Sequence, residues 1–191
     1  VPGPRYTSYP TVPYWDESDF SEEIWAETLK KSFIESNSSE GISLYIHLPF
    51  CESLCTFCGC NKRITKNHSV ENPYIEAVLK EWTLYCKLLG EKPIIKEIHL
   101  GGGTPTFFST TNLEHLINGI FVHAKKAEEY EFSFEGHPNN TSHDHLQKLY
   151  DLGFKRVSFG VQDYSEKVQK AIHRLQPFHN VAKVSLWAKE I

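Results

Sequence analysis

The stretch ISLYIHLPFCESLCTFCGC, residues 42–60, decides how the rest of this sequence is interpreted. Its first seven residues form a compact apolar run, which predicts a β-strand over 42–48. Four of the chain's five cysteines then follow within ten residues, at Cys51, Cys55, Cys58 and Cys60. Such crowding directly after a strand indicates a chemical site at the end of that strand.

Composition limits the classes of protein that can carry this cluster. The 191 residues suffice for one domain, and a second is possible but not required. The net charge of −4 is spread along the chain with both signs mixed, so we expect no nucleic-acid partner. No apolar run approaches ~18 residues and the start VPGPRYTSYP is unlike a signal peptide, so we expect a cytoplasmic protein without a membrane span. In that reducing compartment, clustered cysteines indicate a metal or redox site rather than disulfides.

A repeated strand-then-helix pattern extends outward from residue 42. Apolar runs predict strands over 42–48, 94–100, 130–136 and 155–161. Amphipathic segments with capping signals predict helices over 72–90, 111–127, 142–153, 165–173 and from Asn180 onward. Four β-then-α units in succession predict an α/β fold with a parallel sheet, either open or part of a barrel that four units are too few to close.

The region before this repeat has a different character. Residues 1–16 are rich in Pro and Tyr and are predicted to be irregular, and a helix is predicted over 18–35 with Ser18 or Asp19 as its cap. We therefore divide the chain into an arm and helix, 1–41, and an α/β region, 42–191. The chain begins at Val1, has no Met and stops inside an amphipathic pattern, so we expect it to be a C-terminally truncated part of a longer protein.

Polar or backbone-exposing residues follow every predicted strand. The cysteines follow the first strand, GGGTPT (101–106) follows the second, Glu135 ends the third and Gln162 follows the fourth. Ligands of parallel α/β sheets bind beyond the carboxyl ends of the strands, so these residues predict one shared site. Taken singly, the glycines are most simply a turn, and Glu135 is most simply a solvated residue. In a functional interpretation, the glycines would expose backbone N–H groups to a ligand, and Glu135 would accept hydrogen bonds from ribose hydroxyls.

The spacing CxxxCxxC, followed by one Gly and Cys60, indicates which metal the site binds. Structural zinc generally uses two separated pairs of ligands, which this pattern lacks. Three cysteines in one loop match a [4Fe–4S] cluster with one iron that has no protein thiolate. Ligation by Cys60 as well would close that position, but the single residue between Cys58 and Cys60 makes their joint ligation awkward, which favours three ligands.

A CxxxCxxC loop after the first strand of an α/β repeat resembles the radical S-adenosylmethionine (SAM) superfamily. Longer motifs resemble its oxygen-independent coproporphyrinogen III oxidases, from residue 4 to about 180: PRYTSYPT (4–11), YIHLPFCESLCTFCGC (45–60), HLGGGTPT (99–106), RVSFGVQD (156–163) and IHRLQPF (172–178). The resemblance implies an incomplete TIM-like radical SAM barrel preceded by the irregular arm and helix. It also implies two cofactors, the [4Fe–4S] cluster and SAM.

The resemblance further implies roles for individual residues. The cluster ligands would be Cys51, Cys55 and Cys58, and the catalytic residues would be Tyr45, beside the cofactors, and Cys60, which the reaction needs without its ligating iron. The residues in contact with SAM would be Tyr45, near the cluster and cofactor, then Gly102, Gly103 and Thr104 along the methionine part, Glu135 and Gln162 at the ribose, and Arg174 at the carboxylate.

His47 is another family position, and a structural role suits it equally well. The loop GHPNN (136–140) departs from the Asp-Pro of many members, so its contacts are not carried over. We interpret His137 there as a loop residue that packs before Pro138.

The implied reaction is oxidative decarboxylation of coproporphyrinogen III to protoporphyrinogen IX in heme biosynthesis, by a radical formed from SAM. A monomer with a reduced flavodoxin- or ferredoxin-type donor is expected, and the isolated 191 residues are expected to be inactive or nearly so. One alternative is a related heme chaperone, although those proteins generally lack the Cys60 equivalent and the PRYTSYPT arm. The other is an iron–sulfur or zinc module without radical chemistry.

Overall fold

The computed structural model describes Tyr14, Asp16 and residues 20–191. The helices are α1 Glu22–Ser36, α2 Glu71–Leu89, α3 Thr110–His123, α4 His143–Asp151, α5 Glu166–Ala171 and α6 Phe178–Glu190. The strands are β1 Ile42–Leu48, β2 Phe50–Cys51, β3 Arg63–Ile64, β4 Ile94–Gly102, β5 Lys125–Gly136 and β6 Phe154–Phe159. Single 3₁₀ turns cover His68–Val70 and Pro105–Phe107. The predicted arm lies almost wholly outside the described residues.

Four strands form a parallel sheet in the order β1-β4-β5-β6. This arrangement confirms the predicted α/β fold of repeated β/α units. Leu48 pairs with Gly102 at the ends of β1 and β4, and Gly136 pairs with Phe159 at the ends of β5 and β6. The carboxyl ends of all four strands therefore meet along one edge, so the loops that follow them are neighbours.

The hydrophobic core lies between this sheet and the helices. Ile95, Ile98 and Leu100 of β4 are fully buried, because β4 is flanked by strands on both sides. Trp82 of α2 is also buried, and its indole N–H donates to the Ile120 carbonyl of α3 at 3.0 Å. Burying this apolar surface supplies the main driving force for folding, and the edge where the strands end remains available for ligands.

The border between α3 and β5 differs from the prediction. A helix was expected over 111–127 and a strand over 130–136, but the helix ends at His123 and β5 begins at Lys125. Strand pairing is the cause, because Ile94 and Ile95 of β4 pair with Lys125 and Lys126. The segment KKAEE favours a helix locally, and tertiary pairing overrides such weak preferences.

The amino-terminal boundaries are also shifted. Helix α1 begins at Glu22, with the Ser21 hydroxyl accepting from the Ile24 N–H at 3.2 Å, whereas the caps expected at 18 and 19 lie outside the described residues. The two short strands β2 and β3 were not predicted; they form a separate parallel pair. The division of the chain at residue 41 stays a prediction. Throughout the part of the chain that the structure describes, no helix is long and apolar enough to cross a membrane.

Candidate cluster and cofactor site

A cavity of about 280 Å³ opens at the carboxyl ends of the sheet strands. Eight of the residues singled out from the sequence line it: Cys58, Cys60, Gly102, Gly103, Thr104, Glu135, Gln162 and Arg174. They lie at the ends of the four sheet strands or in the segments that follow them, because parallel strands bring their carboxyl ends to one edge. The structure therefore brings together most of the predicted site. A larger cavity of about 560 Å³ between α1, β1 and α2 contains none of these cysteines.

The other two predicted ligands contact the lining of the same cavity. The Cys51 sulfur lies 3.3 Å from the Thr104 hydroxyl, and the Cys55 sulfur lies 3.6 Å from an Arg174 guanidinium nitrogen. Every described cysteine is a free thiol. All the thiols of the loop are thus next to the predicted cofactor groups and are available for a metal.

Burial makes isolated thiolates unfavourable in this loop. It raises the pKa of Cys51, and the neighbouring sulfurs of Cys58 and Cys55 raise it further, against a lowering by the Thr104 hydroxyl. It also raises the pKa of Cys60, and the neighbouring Cys58 raises it further. Because only a thiolate ligates metal strongly, cluster binding must displace protons from these sulfurs.

Backbone contacts hold the cysteine loop at both ends. The pairing of β2 with β3 includes donation from the Arg63 N–H to the Pro49 carbonyl at 2.8 Å. Inside the loop, the Lys62 ammonium donates to the backbone carbonyls of Cys58 at 2.8 Å and Cys60 at 3.4 Å. The lysine thus closes the loop and places a positive charge beside it.

Close packing against neighbouring residues also requires glycine at two positions of the glycine loop, whether or not a ligand binds there. A Cβ on Gly103 would lie 2.6 Å from the Pro49 carbonyl oxygen, so no larger residue fits there without backbone movement. Gly102 has φ +114°, and a Cβ on it would lie 2.8 Å from the His47 ring. These glycines bring the end of β4 against β1 and leave Thr104 beside Cys51.

Tyr45 is not among the residues that line the smaller cavity, and its predicted place beside the cofactors stays a prediction. Its ring stacks on His99 with centroids 5.9 Å apart, and His99 in turn lies 3.6 Å from the carboxylate of Glu135, which lines that cavity. The Asn61 carbonyl can only accept, so the His47 nitrogen 2.7 Å away donates to it. The other ring nitrogen of His47 then accepts from the Tyr45 hydroxyl at 3.0 Å. His47 therefore has a hydrogen bond at each ring nitrogen and holds Tyr45 in place.

Arg174 is the most constrained polar residue of the site. It donates to the Gly160 carbonyl at 2.8 Å, and its buried Nε finds no partner among the described residues. The preceding residue, His173, has φ +52°, an uncommon value for a residue with a side chain. A buried donor without an acceptor is costly, so this guanidinium is suited to an anionic ligand.

Two buried glutamines, Gln169 and Gln176, hold the backbone segment that carries this arginine. The backbone N–H of Gln176 donates to the Gln169 side chain at 2.9 Å, and the Gln169 amide donates to the Gln176 carbonyl at 3.1 Å. The Gln176 amide also donates to the Gly160 carbonyl at 2.9 Å. Sequence reasoning missed this pair because nothing in the spacing of the two residues distinguishes them from surface glutamines.

His137 also lines the cavity, a role that the sequence did not suggest. It lies in the loop before Pro138, as interpreted, and its Nδ1 accepts from the Asn139 N–H at 3.2 Å. Burial and the nearby Arg174 lower the pKa of His137 to about 4, against an opposing effect of Glu52. The imidazole is therefore neutral near pH 7 and does not compete with Arg174 for an anion.

The donor set fits a cluster better than a single ion. Across the described residues, no three His, Cys, Asp or Glu side chains are placed to hold one metal ion together. A cubane reaches its thiolates through separate irons, so its ligands need not converge on one point. Three thiols around a cavity, with an unpaired guanidinium donor beside them, fit an iron–sulfur cluster and an anionic cofactor.

Comparison with known proteins identifies the class. The family model described as the radical SAM superfamily matches residues 45–191. The chain therefore belongs to the radical SAM superfamily, whose cofactors are a [4Fe–4S] cluster and SAM. This result confirms the predicted superfamily and its cofactor pair; the roles of the individual site residues stay predictions.

Within this superfamily, the chain is similar to proteins of one kind. The chain is 41% identical over 184 residues to the oxygen-independent coproporphyrinogen III oxidase of Helicobacter pylori and 37% identical over 191 residues to that of Synechocystis. These matches cover 94% and 98% of this chain and 39% of each relative. A solved structure, described as coproporphyrinogen III oxidase (HemN) from Escherichia coli, a radical SAM enzyme, superposes with a TM-score of 0.85 at 32% identity. That match covers 97% of this chain and 41% of the other. The chain thus spans about two fifths of the length of the relatives it matches.

Proposed function

We propose that this chain forms the cluster and SAM site of an oxygen-independent coproporphyrinogen III oxidase, which converts coproporphyrinogen III to protoporphyrinogen IX in heme biosynthesis. One observation carries the proposal: cysteines, the glycine loop, Glu135, Gln162 and Arg174 line a single cavity at the ends of the sheet strands. The names of the relatives support the substrate and the reaction.

Cys51, Cys55 and Cys58 would hold the cluster, and Cys60 would stay outside the ligand set. When bound, the cluster and SAM supply the radical that begins hydrogen abstraction from a propionate side chain. The protein's own contribution is placement and the exclusion of water. Phe57 lines the cavity beside Cys58 and is suited to shield it from solvent.

Polar groups around the cavity would orient SAM. The Arg174 guanidinium, whose Nε has no protein acceptor within the described part, would pair with the carboxylate of SAM. Gly102, Gly103 and Thr104 would line the methionine part, and Glu135 and Gln162 would bind the ribose. Tyr45 would act from its place beside His99, held by its hydrogen bond to His47.

The partners of this reaction follow from its chemistry. A reductant must reach the cluster, and we expect a reduced flavodoxin- or ferredoxin-type protein to supply the electron. A monomeric state and a cytoplasmic location also stay predictions.

The test uses the complete polypeptide that carries this sequence, reconstituted with iron and sulfide under anaerobic conditions. We expect broad visible absorption, about four irons per chain, reductive cleavage of SAM and formation of protoporphyrinogen IX. A protein that holds its cluster and binds heme without turnover would be a heme chaperone instead. A colourless protein with bound zinc would contradict the proposal altogether.

A matched pair of arginine variants tests the predicted SAM contact. Arg174→Gln should raise the KM for SAM by about tenfold or more, because a charge-assisted hydrogen bond is worth about 1.5–3 kcal/mol. Arg156→Gln removes an exposed arginine of β6 that pairs with Glu131, and it should leave that KM unchanged. Equal KM values in the two variants would remove Arg174 from the proposed site.

A further inference from the structure

We infer that His68 is a positioning residue for the cysteine loop, acting through Glu52, which directly follows Cys51. The inference rests on the proposed function, since it concerns the loop that would hold the cluster. No role was predicted from the sequence for His68, Glu52 or Glu71, although Glu52 lies within the cysteine motif. The inference comes from a continuous set of polar contacts that only the tertiary structure brings together.

Glu71, at the start of α2, is the fixed end of this set. Its side chain is only 3% exposed, and one carboxylate oxygen accepts from the Ser109 N–H and the Asn112 amide, each at 2.8 Å. These two donors belong to the start of α3. Burial alone would raise the pKa of Glu71, but these bonds and one from His68 together lower it. A buried carboxylate with this many donors is a rigid anchor.

His68 joins this anchor to the cysteine loop. Its Nδ1 lies 2.6 Å from the second carboxylate oxygen of Glu71, and its Nε2 lies 3.5 Å from a carboxylate oxygen of Glu52. Its ring also stacks on Phe107, with centroids 4.3 Å apart and planes 12° apart. Because Phe107 is almost fully buried, the imidazole is held in its plane and at Nδ1, and Nε2 makes the longer contact with Glu52.

Glu52 extends the set to a third loop. Its other carboxylate oxygen accepts from the Asn140 amide at 2.9 Å, and Asn140 belongs to the loop after β5. The side chains of Glu71, His68 and Glu52 thus connect the start of α3, the cysteine loop and the loop that carries His137. The cysteine loop and the loop that carries His137 both contribute residues to the lining of the proposed cofactor cavity.

The cysteine loop needs such support because it has little of its own. Between Cys51 and Cys60 no further strand or helix forms, and Leu54 and Phe57 are 51% and 46% exposed. One backbone bond ties the middle of the loop to the rest of the chain, from the Thr56 N–H to the Ile172 carbonyl at 3.1 Å. Contacts behind metal ligands commonly change metal affinity or activity about 10–100-fold when removed.

The test uses the complete polypeptide, reconstituted anaerobically, with two variants that break the set at different points. His68→Phe keeps an aromatic ring on Phe107 but loses both polar contacts, whereas Glu52→Ala leaves the contact between His68 and Glu71 in place. We expect both variants to release iron to a chelator about tenfold faster than the wild type. We also expect a broadened electron paramagnetic resonance spectrum of the reduced cluster, because the thiolates adopt several arrangements. Combining the two substitutions should add little, since both break the same connection.

His115→Phe is the matched control, because His115 lies 2.7 Å from Glu76 in an exposed pair that also joins α3 to α2, with no contact to the cysteine loop. It should match the wild type in iron release and spectrum. A wild-type spectrum and iron-release rate in Glu52→Ala would overturn the inference, even if His68→Phe failed to fold. Full additivity of the two substitutions would overturn it too. Failure of the proposed function is distinct, because the wild-type protein itself would then hold no cluster or leave SAM intact.

Discussion

Cys60 and Cys58 are separated by one glycine, and both line the proposed cofactor cavity. Cys60 is nevertheless exposed, whereas Cys51, Cys55 and Cys58 are partly buried. Exposure at the cavity edge suits a thiol that acts on a bound molecule, and partial burial suits thiols that ligate iron. The four cysteines therefore divide into two kinds at the scale of single residues.

This division predicts different outcomes for two cysteine variants. Cys51→Ala should lose most of its iron after anaerobic reconstitution of the complete polypeptide, because one iron of the cubane loses its thiolate. Cys60→Ser should keep about four irons per chain and the same visible absorption, measured on the same material. Loss of iron from Cys60→Ser to the level of Cys51→Ala would show that all four sulfurs are needed to hold the cluster.

The lowered pKa of His137 predicts a pH-dependent stability. The unfolded histidine has a pKa near 6.5 and the folded one about 4, so the unfolded state binds more protons between these pH values. Stability contributed by the neutral imidazole is therefore complete above pH 6.5 and is lost as the pH falls toward 4. In His137→Gln, the free energy of unfolding of the cluster-free protein should fall less between pH 7 and 4.5, by on the order of 2 kcal/mol.

Denaturant titrations at the two pH values measure this difference. His123→Gln is a suitable control, because His123 is exposed at the end of α3 and should follow the wild-type pH dependence. Identical pH dependence of His137→Gln and the wild type would mean that the buried imidazole is not the group that titrates.

At the scale of elements, the first residues of α4 and α5 show that a serine before a helix does not always form a capping hydrogen bond. Helix α4 begins with a reciprocal cap: the Ser142 hydroxyl accepts from the His145 N–H, and the His145 ring accepts from the Ser142 N–H, each at 3.2 Å. Helix α5 begins after Ser165, whose hydroxyl makes no capping bond within the described residues. Both serines look like caps in the sequence, and only one of them acts as a cap.

The two serines therefore predict unequal effects. Ser142→Ala should lower the free energy of unfolding by about 1 kcal/mol, because a helical N–H loses its acceptor. Ser165→Ala should change it by less than about 0.5 kcal/mol, as expected for a surface position without such a contact. Chemical denaturation of the two variants measures both values. Equal losses would show that the cap of α4 contributes nothing beyond helix propensity.

For the whole molecule, stability depends on the two inner strands of the sheet, β4 and β5. Leu100 of β4 is fully buried, and Leu84 of α2 is 58% exposed. Leu100→Ala should lower the free energy of unfolding by about 2–5 kcal/mol, because it leaves a cavity beside the end of β4. Leu84→Ala should stay within about 0.5 kcal/mol of the wild type. Denaturant unfolding followed by circular dichroism separates the two, and similar losses would place the principal core elsewhere.

The sequence by itself determined the repeated strand-then-helix order, the edge of the sheet at which the site lies, and the class of the protein. Apolar runs followed by amphipathic segments specify strand and helix through local periodicity, and parallel strands necessarily bring their carboxyl ends to one edge. For this reason, β1 was predicted with its observed bounds. The cysteine spacing indicated the cluster because its thiolate ligands lie close together in the sequence.

Only the tertiary structure decided the contacts made between distant segments. The helix-favouring KKAEE became part of β5 because β4 offered it a pairing partner. The connection from Glu71 through His68 to Glu52, the glutamines beneath Arg174 and the place of His137 in the cavity have no local signal. Such contacts depend on which side chains packing makes adjacent, and that information is distributed over the whole chain.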